Sequence, residues 1–309
     1  MKSLIDVIGY GDADVDIFFV VDKLPERDEK ITAKSYSLHE GGMVANTIVA
    51  LSRLGRAVGY HGQIGDDPFG KMVLKNFKIN RVDTRGVIIQ PNERTFFCVV
   101  LIDPSGEKAL ISAPTGCMRP LEEISEEYMA TASHLHTNVR NPKKLAKAVQ
   151  IAKKHGLTIS LDLDACKTIY KDNIWELLAN IDILFINQRG AINLTGIKEM
   201  EKAIELIFNY TENIVCITLG SQGSMIATSN GIFLSPAFKV EAVDTTGAGD
   251  CFAAGFIHGF LSDWPLDYSA TYANAVAAIC ITSFGGHTGS PTLTQVKNFL
   301  ISHRIEPLE

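Results

Sequence analysis

A chain of 309 residues that is 46% hydrophobic, 21% charged and 8% aromatic has the composition of a globular protein, which excludes a disordered or collagen-like chain. Its 29 Lys and Arg against 35 Asp and Glu leave a net charge of −6 with no run of five basic residues, so nucleic acid is not an expected partner. No apolar stretch approaches the roughly 20 residues that cross a bilayer, so no membrane span is expected.

The opening MKSLIDVIGYGD carries early acids and no apolar signal core, unlike a secretory leader. Leu4 to Gly9 reads as a buried strand that runs into YGDADVD, where Asp12, Asp14 and Asp16 alternate and so share one face of an extended chain. Such carboxylates either hold a metal or accept hydrogen bonds from vicinal hydroxyls. The segment at about 15–36 reads as a hairpin, IFFVV and ITAKSYS around the polar KLPERDEK, and 94–113 reads as a second around DPSGE. Farther along, His134 to His136, Thr158 to Asp162, Ile183 to Asn187 and Ile214 to Leu219 are short apolar strands, with helical periodicity over Pro142 to His155 and Lys198 to Asn209. Alternation of strand and helix implies right-handed crossovers and a mostly parallel sheet covered on both faces. The expectation is one large α/β core over residues 1–309, from which the two hairpins project together as a small antiparallel sheet. Cys98, Cys117, Cys166, Cys216, Cys251 and Cys280 lie far apart with no C-x-x-C pair and read as reduced thiols of a cytoplasmic protein. His134 and His136, two alternate residues on one strand, are too few for zinc and read as structural.

Ligands of open α/β sheets bind beyond the carboxyl ends of the strands. Those ends carry Asp162 and Asp164, Asn187, and Thr218 with Gly220. The richest stretch is VDTTGAGDCFAAGFIHGFL, Val243 to Leu261. Apolar residues recur at helical spacing after GAGD, so a helix begins at or just after Gly247, Ala248 and Gly249, whose backbone N–H groups can approach an anion at the positive end of the helix dipole. Asp250 in such a place either accepts a proton from a hydroxyl about to attack a phosphoryl group or caps its helix. A second glycine pair, Gly41 and Gly42, precedes a helix with the apolar stripe Val44, Ile48, Leu51 and Leu54. Asn46 falls in its first turn, where an amide either donates to and accepts from a sugar hydroxyl or simply faces solvent. No Walker A loop or complete dinucleotide fingerprint occurs.

DTTGAGDCFAAGF resembles the C-terminal signature of the PfkB/ribokinase family of carbohydrate and nucleoside kinases, and GGMVANTIVALSRLG resembles its N-terminal one; the likeness runs through TLGSQGS to ANAVAAICITSFGGHTGSP. The resemblance implies a three-layer α/β/α sandwich whose small sheet is a lid over the sugar and a homodimer contact. It implies Asp250 as base, Gly247, Ala248 and Gly249 as anion hole, and Asp14, Asp16, Gly42 and Asn46 around the sugar. Thr218, Gly220 and Gly223 fall in its nucleotide loop, with Asn187 at a strand end and Asn274 near the adenine. It further implies ATP with Mg²⁺, and a monovalent cation such as K⁺ at Asp244 and Thr246. Two departures stand out. Asn187 is followed by Gln188, Arg189 and Gly190, without the Glu that helps organise Mg²⁺ in many members, so the metal network must differ. Met43 follows Gly42 where ribokinase has Lys, which weakens ribose as the default substrate. Arg140, just beyond the strand ASHLHTNV, either binds an acidic substituent of the substrate or is a surface residue interacting with the helix that follows. The expected activity is transfer of the γ-phosphoryl group of ATP to a sugar hydroxyl, with a nucleoside kinase, its base stacked on Phe18, Phe19, Phe96 or Phe97, or a catalytically weak sugar sensor as alternatives.

Overall fold

A computed structural model describes residues 5–104, 108–113, 115, 117, 124–138, 142–163, 174–211 and 213–308. Arg140, Asp164 and Cys166 lie outside the described residues.

The chain opens with β1 (Ile5–Tyr10), β2 (Asp14–Val20) and β3 (Ser35–Gly41), then α1 (Met43–Arg53), β4 (Val58–Gly65), α2 (Pro68–Ile79) and β5 (Asp83–Gln90). It continues with β6 (Phe97–Ile102), β7 (Lys108–Ala113), the short α3 (Glu126–Met129), β8 (Ala132–Asn138), α4 (Pro142–Lys154), β9 (Thr158–Leu163), α5 (Ile174–Leu178) and β10 (Ile183–Asn187). The last third holds α6 (Gln188–Thr195), α7 (Met200–Phe208), β11 (Ile214–Thr218), β12 (Ser224–Thr228), β13 (Gly231–Ser235), α8 (Ala248–Phe260), α9 (Leu266–Cys280), α10 (Gly286–Gly289) and α11 (Leu293–Ser302).

Nine strands form the central sheet in the order β13-β12-β11-β10-β9-β8-β1-β4-β5. All neighbours from β5 to β11 are parallel, as the strand–helix alternation requires, and only the two pairings at the edge, β11–β12 and β12–β13, are antiparallel. One apolar layer packs α4 and α7 on one face, with Leu145, Ile151 and Ile204 among its members. The other packs α1, α8 and α9 on the opposite face through residues such as Ile48, Phe252, Phe256 and Val276. The chain winds from β1 outward to β5 and then returns to β8 on the other side of β1, so the connections leaving β1 and β8 diverge. In sheets of this kind ligands bind at the carboxyl edge, where Asp162, Asn187 and Thr218 lie at the ends of β9, β10 and β11.

The second sheet has the order β3-β2-β6-β7. Each hairpin is antiparallel, but the seam between them, β2 with β6, is parallel. Both strands start from the same edge of the central sheet, one after β1 and one after β5, and therefore run the same way. Register places Asp14, Asp16, His39, Cys98 and Lys108 on one face, and Tyr36, Leu38, Phe19, Val99 and Ile111 on the other. Among the described residues no helix is long and apolar enough to cross a membrane.

His134 and His136 are fully buried and share the Ser160 hydroxyl at 2.7 and 2.8 Å, with Thr158 Oγ1 2.7 Å from His134, which accords with the structural reading. Burial pushes both imidazoles down to about 3, the charge of His136 adding to the effect on His134.

Candidate active site

Three segments converge above the carboxyl edge: the turn before α8, the start of α1 with the end of β3, and the 285–287 stretch entering α10. Gly247 holds the first turn. Its φ of 78° is left-handed, and it stands as the N-cap of α8, so the helix begins where the spacing of the apolar residues places it. A Cβ there would lie 2.5 Å from Gly286 Cα, so the two backbones touch and admit no side chain.

Asp250 is therefore in the first turn of the helix and is not its cap. Its Oδ2 accepts from Asn46 Nδ2 at 2.6 Å, and Thr47 Oγ1 approaches the Asp250 carbonyl at 3.3 Å. Asn46 is buried rather than facing solvent because α1 turns that side onto α8. Burial pushes the Asp250 carboxyl well above the usual carboxylate range; the charge of Asp162 adds to this and the Asn46 hydrogen bond opposes it. Asp250 and Gly249 line a cavity of about 140 Å³ with Met43, Asp162, Asn187 and Thr218. The Ala248 amide, one of the three expected in the anion hole, donates to Thr245 O at 3.3 Å.

The β2 carboxylates sit across from this point. Gly41 lies so close to them that a Cβ would be 2.5 Å from Asp14 Oδ1 and 2.7 Å from Asp16 Oδ2. Gly42 is the N-cap of α1 and packs its backbone against Asp12 and Ala13. Asp16 is raised to about 6, by burial first and then by the charges of Asp244 and Asp12. Asp12 leaves the shared face expected for it: its Oδ1 accepts from Asn138 Nδ2 at 2.9 Å, tying the β1–β2 turn to the end of β8, because the chain bends between Gly11 and Ala13 before β2 begins. No group of three or more His, Cys, Asp or Glu able to hold a metal occurs among the described residues.

On the nucleotide side, Asn187 and Thr218 are register partners at the ends of β10 and β11. Asn187 caps α6 by accepting from Gly190 N at 2.7 Å, which is the local reason for Asn there. Gly220 opens a 3-10 turn over residues 220–222, and Gly223 packs against the backbone of Ser235 and Ala237. Asn274 spends its amide on Ser224 Oγ, Ser235 O and Ser235 Oγ at 3.0 to 3.2 Å, so it fixes the wall of that region rather than pointing a free amide into it.

Asp244 is buried, and its carboxylate takes hydrogen bonds from Thr246 N, Thr246 Oγ1 and Gly285 N at 2.8 to 3.0 Å. Lys108, from the far end of β7, completes the set with Nζ 2.7 Å from Asp244 Oδ1 and 3.1 Å from Thr246 Oγ1. Burial alone would raise the Asp244 carboxyl, but Lys108 and these hydrogen bonds hold it below its ordinary value.

Sequence reasoning missed Lys108, Asn138 and Thr47. Asn138 ends a recognised strand, and polar strand ends were the signal that could have found it. Thr47 adjoins Asn46 in an apolar helix. Lys108 follows a hairpin turn, as many lysines do, and nothing in its neighbourhood marks it.

A buried carboxylate held by an amide beside a small cavity lined by both polar and apolar residues at the start of a helix is an arrangement that can serve transfer of a phosphoryl group to a hydroxyl. The chain belongs to the pfkB family of carbohydrate kinases, whose model matches residues 4–293. It is 32% identical over 300 residues to an ATP-dependent ribose-1-phosphate kinase of Halopiger xanaduensis, covering 96% of this chain and 98% of that one. It is 31% identical over 310 residues to a ribokinase of Haemophilus influenzae, covering 97% and 99%. A structure of a putative ribokinase II from E. coli in complex with ATP and Mg²⁺ superposes with a TM-score of 0.87 over 97% of this chain and all of that one, at 24% identity. The protein is a carbohydrate kinase, an enzyme with an alcohol group as acceptor.

Proposed function

We propose that the protein transfers the γ-phosphoryl group of ATP to a sugar hydroxyl with Asp250 as general base. The observation that carries this reading is the buried Asp250–Asn46 pair facing the cavity at the α8 N-terminus. A carboxyl raised by its surroundings is a stronger base, which suits proton removal from an alcohol. Asn46 orients the carboxylate, and its unpartnered Oδ1 is free for a substrate hydroxyl. Asp14, Asp16 and the Gly42 backbone accept and donate around the sugar on the opposite side. Gly247, Ala248 and Gly249 form the anion hole, the Ala248 amide turning from Thr245 O as phosphate arrives. Thr218, Gly220 and Gly223 border the nucleotide phosphates and base, and Asn274 holds that border.

Asp162, Asn187 and Thr218 offer oxygen donors around the cavity, and the mutual repulsion of Asp162 and Asp250 is what a divalent cation would relieve. These residues fit Mg²⁺, which would neutralise the phosphate charge when bound. The K⁺ expected at Asp244 and Thr246 fits less well, because the Lys108 ammonium already engages both side chains.

The small sheet acts as a lid that excludes water from the transfer. Its outer face, with Tyr36 71%, Leu38 41% and Ile111 61% exposed, is suited to a homodimer contact. The relative named for ribose 1-phosphate acts on a sugar bearing a phosphate, which favours an acidic substrate here and Arg140 as its anchor. The nucleoside alternative is disfavoured because Phe18 and Phe96 are buried, and Phe97 and Phe19 pack on Phe69 and Tyr36. The test is ADP release from Mg·ATP in the presence of ribose, ribose 1-phosphate, ketohexoses, sugar acids and nucleosides. Release that depends on a sugar supports the reading, and release that depends on none of them, or on nucleosides alone, overturns it.

A further inference from the structure

We propose that Lys108 is a cation built into the lid, which sets the anion-binding turn when the lid is closed and takes the place of a diffusible monovalent cation. This rests on the kinase reading for its catalytic consequence, but not for its geometry. The Asp244 side chain is fully inaccessible and receives neutral donors from Thr246 and Gly285. Its negative charge also faces Asp16, whose carboxyl is buried near it. Without a positive partner two buried carboxylates would repel across the entrance to the sugar site. Lys108 Nζ supplies that charge at 2.7 Å, with its side chain only 23% exposed.

The connection matters because of what Asp244 holds. Through Thr246 it fixes the approach to Gly247, and through Gly285 N it fixes the segment whose Gly286 touches Gly247 and Asn46. One carboxylate thus ties both sides of the turn that starts α8, and the ammonium that neutralises it comes from a strand 136 residues earlier in the chain. Lys108 pairs in register with Ile102 at the far end of its hairpin, so the contact exists only while that end lies down over the turn. Closure of the lid and ordering of the anion-binding turn are then one event. Phosphate stabilisation is assembled when water is excluded, which disfavours hydrolysis of ATP with the lid open. A K⁺ ion would need the oxygen atoms that Lys108 already occupies. Lys108 touches neither substrate in this scheme and is a positioning residue.

The experiment compares wild type with Lys108→Met in choline, Na⁺ and K⁺ chloride at equal ionic strength. It measures turnover, Mg·ATP affinity by calorimetry, and hydrogen exchange of the backbone over residues 243–250. The proposal expects wild-type turnover to be the same in the three salts. Lys108→Met should lose about 10²-fold in kcat in choline, the scale of a misplaced catalytic turn, with ATP affinity kept. K⁺ or ammonium should restore part of that loss by entering the vacated site. Exchange over 243–250 should quicken in the variant while the β8–β11 strands keep their protection, which also shows that it folds. Wild-type activation by K⁺, or unchanged exchange over 243–250 in Lys108→Met, would overturn the proposal. The exchange result is read even if no sugar supports turnover, an outcome that would count against the kinase reading alone.

Discussion

Replacing Gly247 by Ala isolates what the turn before α8 does. Two costs combine there. Ala at a φ of 78° meets the left-handed penalty of roughly 1–2 kcal/mol. Its Cβ would also stand 2.5 Å from Gly286 Cα, where carbon atoms rest at about 3.5–4.0 Å, so the two backbones must part by about 1 Å. Gly196 supplies the control, because at a φ of 75° with nothing within 4 Å of a built Cβ, Gly196→Ala carries the conformational penalty without the collision. Urea unfolding of both variants should show Gly247→Ala less stable than Gly196→Ala by about 1–3 kcal/mol, the range for overpacking against a rigid neighbour. The kinetic consequence is larger in proportion. Anion-hole donors work at about 2.7–3.1 Å from the developing charge, and a misplacement of about 1 Å costs about 10²-fold. A coupled assay of ADP release should therefore show kcat down by about that factor in Gly247→Ala and unchanged in Gly196→Ala. Equal stability of the two variants together with wild-type turnover in Gly247→Ala would refute the claim that this backbone contact shapes the phosphate site.

Three further outcomes are expected. Asp250→Asn should keep its fold and ATP affinity and lose about 10²- to 10⁴-fold in kcat, and the wild-type rate should rise with pH through an apparent pKa above the usual carboxylate range, since burial and Asp162 raise that carboxyl and the base works deprotonated; wild-type kcat in the variant refutes it. Burial holds His134, His136 and His287 down to about 3 and His258 to about 4, so they are neutral in the fold while the unfolded chain takes up their protons below about 6.5. Stability should be full above that pH and fall as pH drops toward the folded values, by about 1.4 kcal/mol per His between pH 7.5 and 5.5, which urea unfolding would contradict by a flat profile. Arg140→Ala should lower kcat/KM by about 1.5–3 kcal/mol for an acidic sugar and leave its neutral analogue unaffected; equal losses sink the anchoring role.

The parts of the site that a reader of the sequence could find are those whose chemistry and helix position coincide. Asp250 follows the Gly-Ala-Gly run 247–249 and Asn46 follows the glycine pair 41–42, each in the first turn of its helix, so the glycine motif also locates the side chain. Their mutual contact was not legible, because it depends on α1 packing on α8 across 204 residues. Five of the parallel strands, β1, β8, β9, β10 and β11, were visible as short apolar runs, whereas β4, which Gly, His and Gln interrupt, and β5, which is partly exposed at the sheet edge, were not. The β12–β13 hairpin was not, although Ser229, Asn230 and Gly231 between two alternating runs are a hairpin signal that could have been taken. For Asn274 the resemblance implies a place near the adenine, and the fold adds that its amide serves Ser224 in β12 and the 235–236 backbone.

The two sheets are not independent pieces that happen to meet. β2 leaves β1 only three residues after it ends, so the strand carrying Asp14 and Asp16 starts at the switch point itself. The chain enters β2 beside Asp12, which Asn138 and the α1 backbone hold to the central sheet. In the lid movement proposed above, the carboxylates nearest this anchor would move least and hold the sugar, while Lys108 at the far end would move most. On that proposal the lid would bind the acceptor before it closes and complete the anion-binding turn only after. The proposed order rests on where the strands leave the central sheet, with the proposed sugar-binding carboxylates and Lys108 at opposite ends of the same small sheet.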